Sequence, residues 1–147
     1  QAGDESELAI PRLGRGEDAG TAAAPLPPIP QSIIFDARRE INQVTAAEAI
    51  DRYFVDLVSA TRNPGRYDKD LARWIHVGAS PRGTLALDRA SRALAWLRGR
   101  DHVIPEDVQS IAPDCLRHRI LPSYEASAEG KSNDDLLSAL LKLVAVP

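Results

Sequence analysis

GASPRGTLALDRASRALAWLRGR occupies residues 78–100, and its apolar positions fall into one helical period. Ala86, Leu87, Ala90, Ala93, Leu94 and Leu97 recur at steps of three and four, which predicts a helix with that stripe turned to a core. Ser80 is placed to cap it, its hydroxyl accepting an orphan N–H of the first turn, and Pro81 suits the opening position because its φ is already near the helical value. Gly99 supplies a left-handed stop, and Arg98 beside it complements the negative end of the helix dipole. Arg82 is out of keeping with these signals. It falls in the opening turn, where the dipole is positive and acidic residues are favoured. Taken alone it reads as a solvated arginine or one paired with a nearby carboxylate, and spacing does not single out another role.

Length and composition narrow the classes. A chain of 147 residues with 44% hydrophobic content can bury one ordinary core and carry a tail. A net charge of −3 argues against broad electrostatic contact with nucleic acid, although the arginines could still form a local patch. Cys115 is the only cysteine, so neither an intrachain disulfide nor a cysteine-rich metal cluster is available. Without a partnered base it reads as a small, partly buried residue in a cytoplasmic protein. No apolar run approaches the roughly 20 residues of a membrane span. His118 lies between two arginines, and His76 and His102 are isolated. None has neighbours at metal-ligand spacing, so all three read as structural.

On the N-terminal side, residues 4–13 open like a short acidic helix but meet Pro11, and residues 14–30 are Gly-, Ala- and Pro-rich, ending in APLPPIP. Residues 1–30 are therefore expected to be a flexible connection, with the ordered domain over residues 31–147. Ser32 is placed to cap a helix carrying Ile34, Ala37, Ile41 and Val44. Thr45 and Glu48 have the spacing of a capping box before a second helix whose stripe is Ile50, Tyr53, Phe54, Leu57, Val58 and Thr61. Asn63-Pro64-Gly65 marks a turn within an expected surface loop over residues 62–73.

On the C-terminal side, Pro105 opens a further helix with Glu106 and Asp107 in its positive first turn, and Pro113 is expected to bend or divide it. Residues 124–131, YEASAEGK, read as loop or edge structure. Ser132 caps a last helix with Leu136, Leu137, Leu140, Leu141 and Val144 inward. The predicted class is mainly α, a small helical bundle, with short β segments near residues 74–77, 102–104 and 119–125.

Three stretches in order, GASPRG at 78–83, GRDHVIPEDV at 99–108 and LRHRI at 116–120, resemble the C-terminal lid domain of MoxR-family AAA+ ATPases. GASPR is the specific motif; Pro-Glu-Asp alone is an ordinary helix opening. Ile104 departs from the family's usual hydroxyl residue before PEDV, which weakens that cap but not the helix. The remains of a glutamate-containing core helix are similar to GDESELAI, and the ending Val146-Pro147 resembles the family's C-terminus. With no Met and Gln1 at its front, the chain is expected to be cut from a longer protein.

The resemblance implies that Arg82 is the second sensor, the arginine that reaches from the lid to the nucleotide phosphates on the ATPase core. It implies ATP and Mg in the parent and none in this chain, which lacks the Gly-x-x-x-x-Gly-Lys-Ser/Thr phosphate loop. The implied partners are the core of the same chain, copies in a hexameric ring, and von Willebrand factor A domain proteins. The implied role is to couple ATP hydrolysis to chaperone-like remodelling. Arg89, lower on the same helix, is expected to matter much less. The alternative is a small helical module that binds nucleic acid or protein, with the Arg117-His118-Arg119 cluster among its contacts.

Overall fold

Capping chemistry sets where several of the helices begin. In the computed structural model, which describes residues 27–147 together with Pro11 and Arg15, the chain divides into two compact units, Gln1–Ile33 and Ile34–Pro147. Residues 27–30 run without regular structure; apart from these, Pro11 and Arg15, the expected flexible connection over residues 1–30 lies outside the described residues.

From residue 31 the order is α1 (Gln31–Gln43), α2 (Glu48–Arg62), α3 (Lys69–Trp74), β1 (Ile75–Val77), α4 (Arg82–Leu97), α5 (Pro105–Leu116), β2 (Leu121–Pro122), α6 (Tyr124–Ala128) and α7 (Asn133–Leu143), with 3₁₀ turns at Pro64–Arg66 and Arg117–Arg119. The mainly α class is as expected. Ser132 caps α7 as predicted: its hydroxyl accepts from Asp135 N at 3.2 Å, and the Asp135 carboxylate accepts from Ser132 N at 2.9 Å.

Two helices stand where loops were expected. Asp68 accepts from Asp70 N at 2.8 Å and Leu71 N at 2.9 Å and so starts α3 inside residues 62–73. Ser123 accepts from Ala126 N at 3.1 Å and starts α6 within YEASAEGK. Pro113 does not divide α5, which runs unbroken through it to Leu116. The Thr45–Glu48 capping box does not form. Thr45 N instead donates to Asp101 O at 2.9 Å, Thr45 O accepts from Val103 N at 2.9 Å, and its hydroxyl turns to Asp101 O at 3.3 Å. This single parallel bridge is all that becomes of the β segment expected at 102–104.

The core of the second unit is built from α2, α4, α5 and α7. Phe54, Leu57 and Val58 of α2, Leu87 of α4, Val108 and Leu116 of α5, and Leu136, Leu137 and Leu140 of α7 are buried. β1 pairs antiparallel with β2, Ile75 opposite Pro122 and Val77 opposite Leu121, with a shift of register between them. α4 is held at both ends, and its two ends define the site.

Candidate functional site

The GASPR segment is fastened to the C-terminal end of α2. A Cβ on Gly78 would stand 2.3 Å from the carbonyl oxygen of Thr61, so only glycine lets the two backbones pass. The next residue, Ala79, is fully buried, and both of its backbone polar groups are satisfied. Its N–H donates to Thr61 Oγ1 at 2.9 Å and its carbonyl accepts from the Arg62 guanidinium at 2.8 Å. Thr61 Oγ1 in turn donates to Val58 O at 2.7 Å. Arg62 was not singled out in the sequence because nothing in its local spacing announces a partner 17 residues away.

The chain leaves this clamp through Ser80 and Pro81 and turns into α4. The Ser80 hydroxyl does not cap; the Ser80 carbonyl accepts from Gly83 N at 2.8 Å, and Pro81, at φ −56° and ψ −19°, is already helical. The buried stripe of α4 is Gly83, Leu87, Ser91 and Ala95; of the expected stripe Leu87 is buried, Ala86 and Ala90 pack part-buried against the core, and Leu97 is 73% exposed. Small side chains at four-residue steps let α4 lie close to its neighbours. A Cβ on Gly83 would come within 3.2 Å of Leu116 and 3.3 Å of Val58.

This setting puts Arg82 in an exposed first turn that has no acidic residue, whereas Glu48 and Asp51 open α2, Glu106 and Asp107 open α5, and Asp134 and Asp135 open α7. Arg82, Leu85, Ala86 and Arg89 lie at helical steps on one face, and Arg119 comes to the same face from the turn after α5; together they line an open pocket of about 290 Å³. Ion pairs among the described residues engage Arg39, Arg73, Arg92, Arg98, Arg100 and Arg117. Arg82, Arg89 and Arg119 are not among them. The Arg117-His118-Arg119 cluster is thus divided. Arg117 is bound by Asp134 at 2.6 Å and Asp114 at 3.1 Å, while Arg119 donates from Nε to the Cys115 carbonyl at 2.9 Å.

The other end of α4 is stapled. Gly99 takes the predicted left-handed conformation, φ +72°, and Arg100 N reaches back to Ala95 O at 2.9 Å. Asp107, fully buried, accepts two bonds from Arg100 at 2.6 and 2.5 Å, one from Arg98 at 2.9 Å and one from Ile104 N at 3.1 Å. The last bond supplies from the acid side the cap that Ile104 cannot. Burial pushes the Asp107 carboxyl up, but Arg100, the Ile104 N–H and Arg98 outweigh it and hold the group below its ordinary value. Burial raises the Cys115 thiol, against the pull of Arg119. No group of three His, Cys, Asp or Glu residues placed to hold a metal ion occurs among the described residues.

A protein-family model described as "AAA lid domain" matches residues 70–140, the span from α3 to α7 that holds both ends of α4. Over 100 residues the chain is 43% identical to "Chaperone MoxR1" of Mycobacterium tuberculosis, 67% of this chain and 26% of that protein. The chain carries a MoxR-type AAA+ lid domain. "Protein MoxR" of Paracoccus denitrificans is 40% identical over 109 residues, 69% of the lid chain and 32% of that protein. A crystal structure of a "putative ATPase" from Cytophaga hutchinsonii superposes with a TM-score of 0.80 at 34% identity, over all of the lid chain and 44% of its own. The lid chain spans about a quarter to a third of the length of these curated relatives. A 39-residue stretch is 56% identical to the magnesium-chelatase subunit ChlI of Nicotiana tabacum. No helix among the described residues is long and apolar enough to cross a membrane.

Proposed function

We propose that this lid works as the moving arm of an ATP-hydrolysing ring and that Arg82 is its phosphate-sensing residue. One observation carries the reading: an exposed arginine without a carboxylate partner among the described residues, in a helix turn whose backbone is bolted to α2 through Gly78, Ala79, Thr61 and Arg62. A guanidinium on a firm base, facing outward, suits a polyanion brought to it from outside the lid. The arginine-lined face fits ATP phosphates, whose charge it complements. In this reading ATP and Mg are held on the ATPase core of the longer protein, and the lid contributes positive charge as phosphoryl transfer proceeds. A hexameric ring of copies, chaperone-like remodelling and von Willebrand factor A domain partners belong to the same proposal.

The test is Arg82→Ala in the longer protein with a working core. The clamp and the α4 stripe do not involve the Arg82 side chain, so folding and assembly should be kept. Turnover should fall by roughly two orders of magnitude or more, with a smaller loss of nucleotide affinity. Arg66→Ala, at an exposed turn remote in sequence from this helix, is the control and should stay near wild type. Unchanged turnover of Arg82→Ala in an intact assembly would reduce this arginine to a surface charge.

A further inference from the structure

Arg119 is the side chain here that has no assigned purpose equal to its placement. It is half-buried, and its Nε–H is spent on the Cys115 carbonyl, one of the last-turn carbonyls of α5 that has no partner within the helix. That bond fixes the plane of the guanidinium and leaves its two terminal NH₂ groups as a fork. Arg119 lines the same pocket as Arg82 and Arg89. Its sequence neighbour Arg117 is neutralised twice over by Asp114 and Asp134, so the fold separates two arginines two residues apart into a structural one and an open one.

Three guanidiniums gathered on one pocket repel each other, and Arg82 is further opposed by the positive end of α4. An anion entering the pocket reverses the sign of these interactions. The pocket, about 290 Å³, lies at the lower edge of the range for whole small-molecule sites, so it suits a phosphate-sized group and not a nucleotide base with its sugar. Multiple forks with no acidic neighbour among the described residues favour the most highly charged part of such a ligand.

We propose that Arg119 is a second phosphate-contacting arginine, oriented by the Cys115 carbonyl, which acts with Arg82 on the terminal phosphates of a nucleoside triphosphate. This rests on the Arg82 reading, and adds to it that the sensor is a cluster in which the turn after α5 takes part. Binding of the nucleotide would then join the start of α4 to the end of α5 through one anion.

The experiment uses this chain and inorganic tripolyphosphate, followed by NMR of the arginine Nε–Hε signals. Saturable shifts are expected at Arg82 and Arg119, weakening with added salt, and absent at Arg117. Adenosine should give no shifts. Arg119→Gln keeps an amide donor for the Cys115 carbonyl and removes the charge; it should keep the wild-type melting temperature and weaken tripolyphosphate binding about fivefold, as should Arg119→Ala. Arg117→Ala should change affinity less than twofold. If both Arg119 variants bind as wild type while Arg82→Ala binds more weakly, the Arg119 inference falls and the Arg82 reading stands. If neither arginine's signals move, the Arg119 inference falls, and the Arg82 reading is decided separately by the turnover of Arg82→Ala in the longer protein. Duplex DNA shifting the same signals at lower concentration than tripolyphosphate would overturn the phosphate-group assignment in favour of a nucleic-acid surface.

Discussion

Gly78 is where the smallest change should have the largest structural effect. Its α-carbon passes so close to the end of α2 that a methyl group would overlap Thr61 O, Thr61 C and Arg62 N, all backbone atoms without freedom to rotate away. Gly78→Ala must therefore open the clamp, and a cost of about 1–3 kcal/mol is expected for such overpacking. Gly83→Ala, whose nearest neighbours at 3.2 and 3.3 Å are side-chain methyl carbons, should cost clearly less. Urea unfolding of the two variants compares them directly, and equal losses would show that the clamp is not the tighter contact. The glycine of GASPR is thus needed by backbone geometry, and the alanine is buried, whereas the arginine is exposed and open to contact.

At the scale of elements, α4 is built to touch. Its stripe of Gly83, Leu87, Ser91 and Ala95 contains a fully buried hydroxyl, Ser91 Oγ, with no hydrogen-bond partner. Ser91→Ala removes an unsatisfied polar atom without enlarging the side chain and also favours helix, so it should raise unfolding free energy by up to about 1 kcal/mol. A loss of stability in the same urea titration would mean that the hydroxyl is satisfied in solution. This stripe also shows where sequence reading stops. Long helices with an apolar period, such as α2 and α7, were legible because burial and period agree, although the cap expected for α2 does not form. The α4 stripe was displaced because close packing selects small residues, and Gly83 and Ser91 do not count as apolar, while Leu97 does and is exposed. α3 and α6, of six and five residues, are too short to show a period, and only Asp68 and Ser123 mark them. Arg82 was legible as an anomaly. Its company with Arg119 was not, since 37 residues separate the two and only the packing of α4 on α5 closes that distance.

For the whole molecule, stability against acid should depend on Asp107. Its carboxyl is held below its ordinary value despite burial, because Arg100, the Ile104 N–H and Arg98 favour the ionised form. A depressed carboxyl stabilises the fold above the unfolded value near 3.9, and that contribution is lost as pH falls through the folded value. Asp107→Asn should therefore cost about 3 kcal/mol near pH 7, since it leaves Arg98 and Arg100 without their anion, and the gap from wild type should close steadily below about pH 4. Urea titrations at stepped pH give both numbers, and a gap independent of pH would remove the ionised carboxylate as the cause. The loops on either side of this residue, with Thr45 bridging to Asp101 and Val103, should loosen together in the variant.

The clamp on Gly78 and Ala79 has a mechanical consequence. Because the carbonyl of Ala79 is gripped by Arg62 and its N–H by Thr61, α2 and the start of α4 cannot turn independently, and a force applied at Arg82 is delivered to both helices. α4 has 16 residues and is about 24 Å long. A tilt of about 10° at the Arg82 end would sweep the Asp107 staple through roughly 4 Å, given a rigid rod of that length. Since the far end of α4 is itself stapled to α5 through Asp107, such a tilt must carry α2, α4 and α5 together, and a small rotation imposed at Arg82 becomes a displacement of the opposite side of the lid.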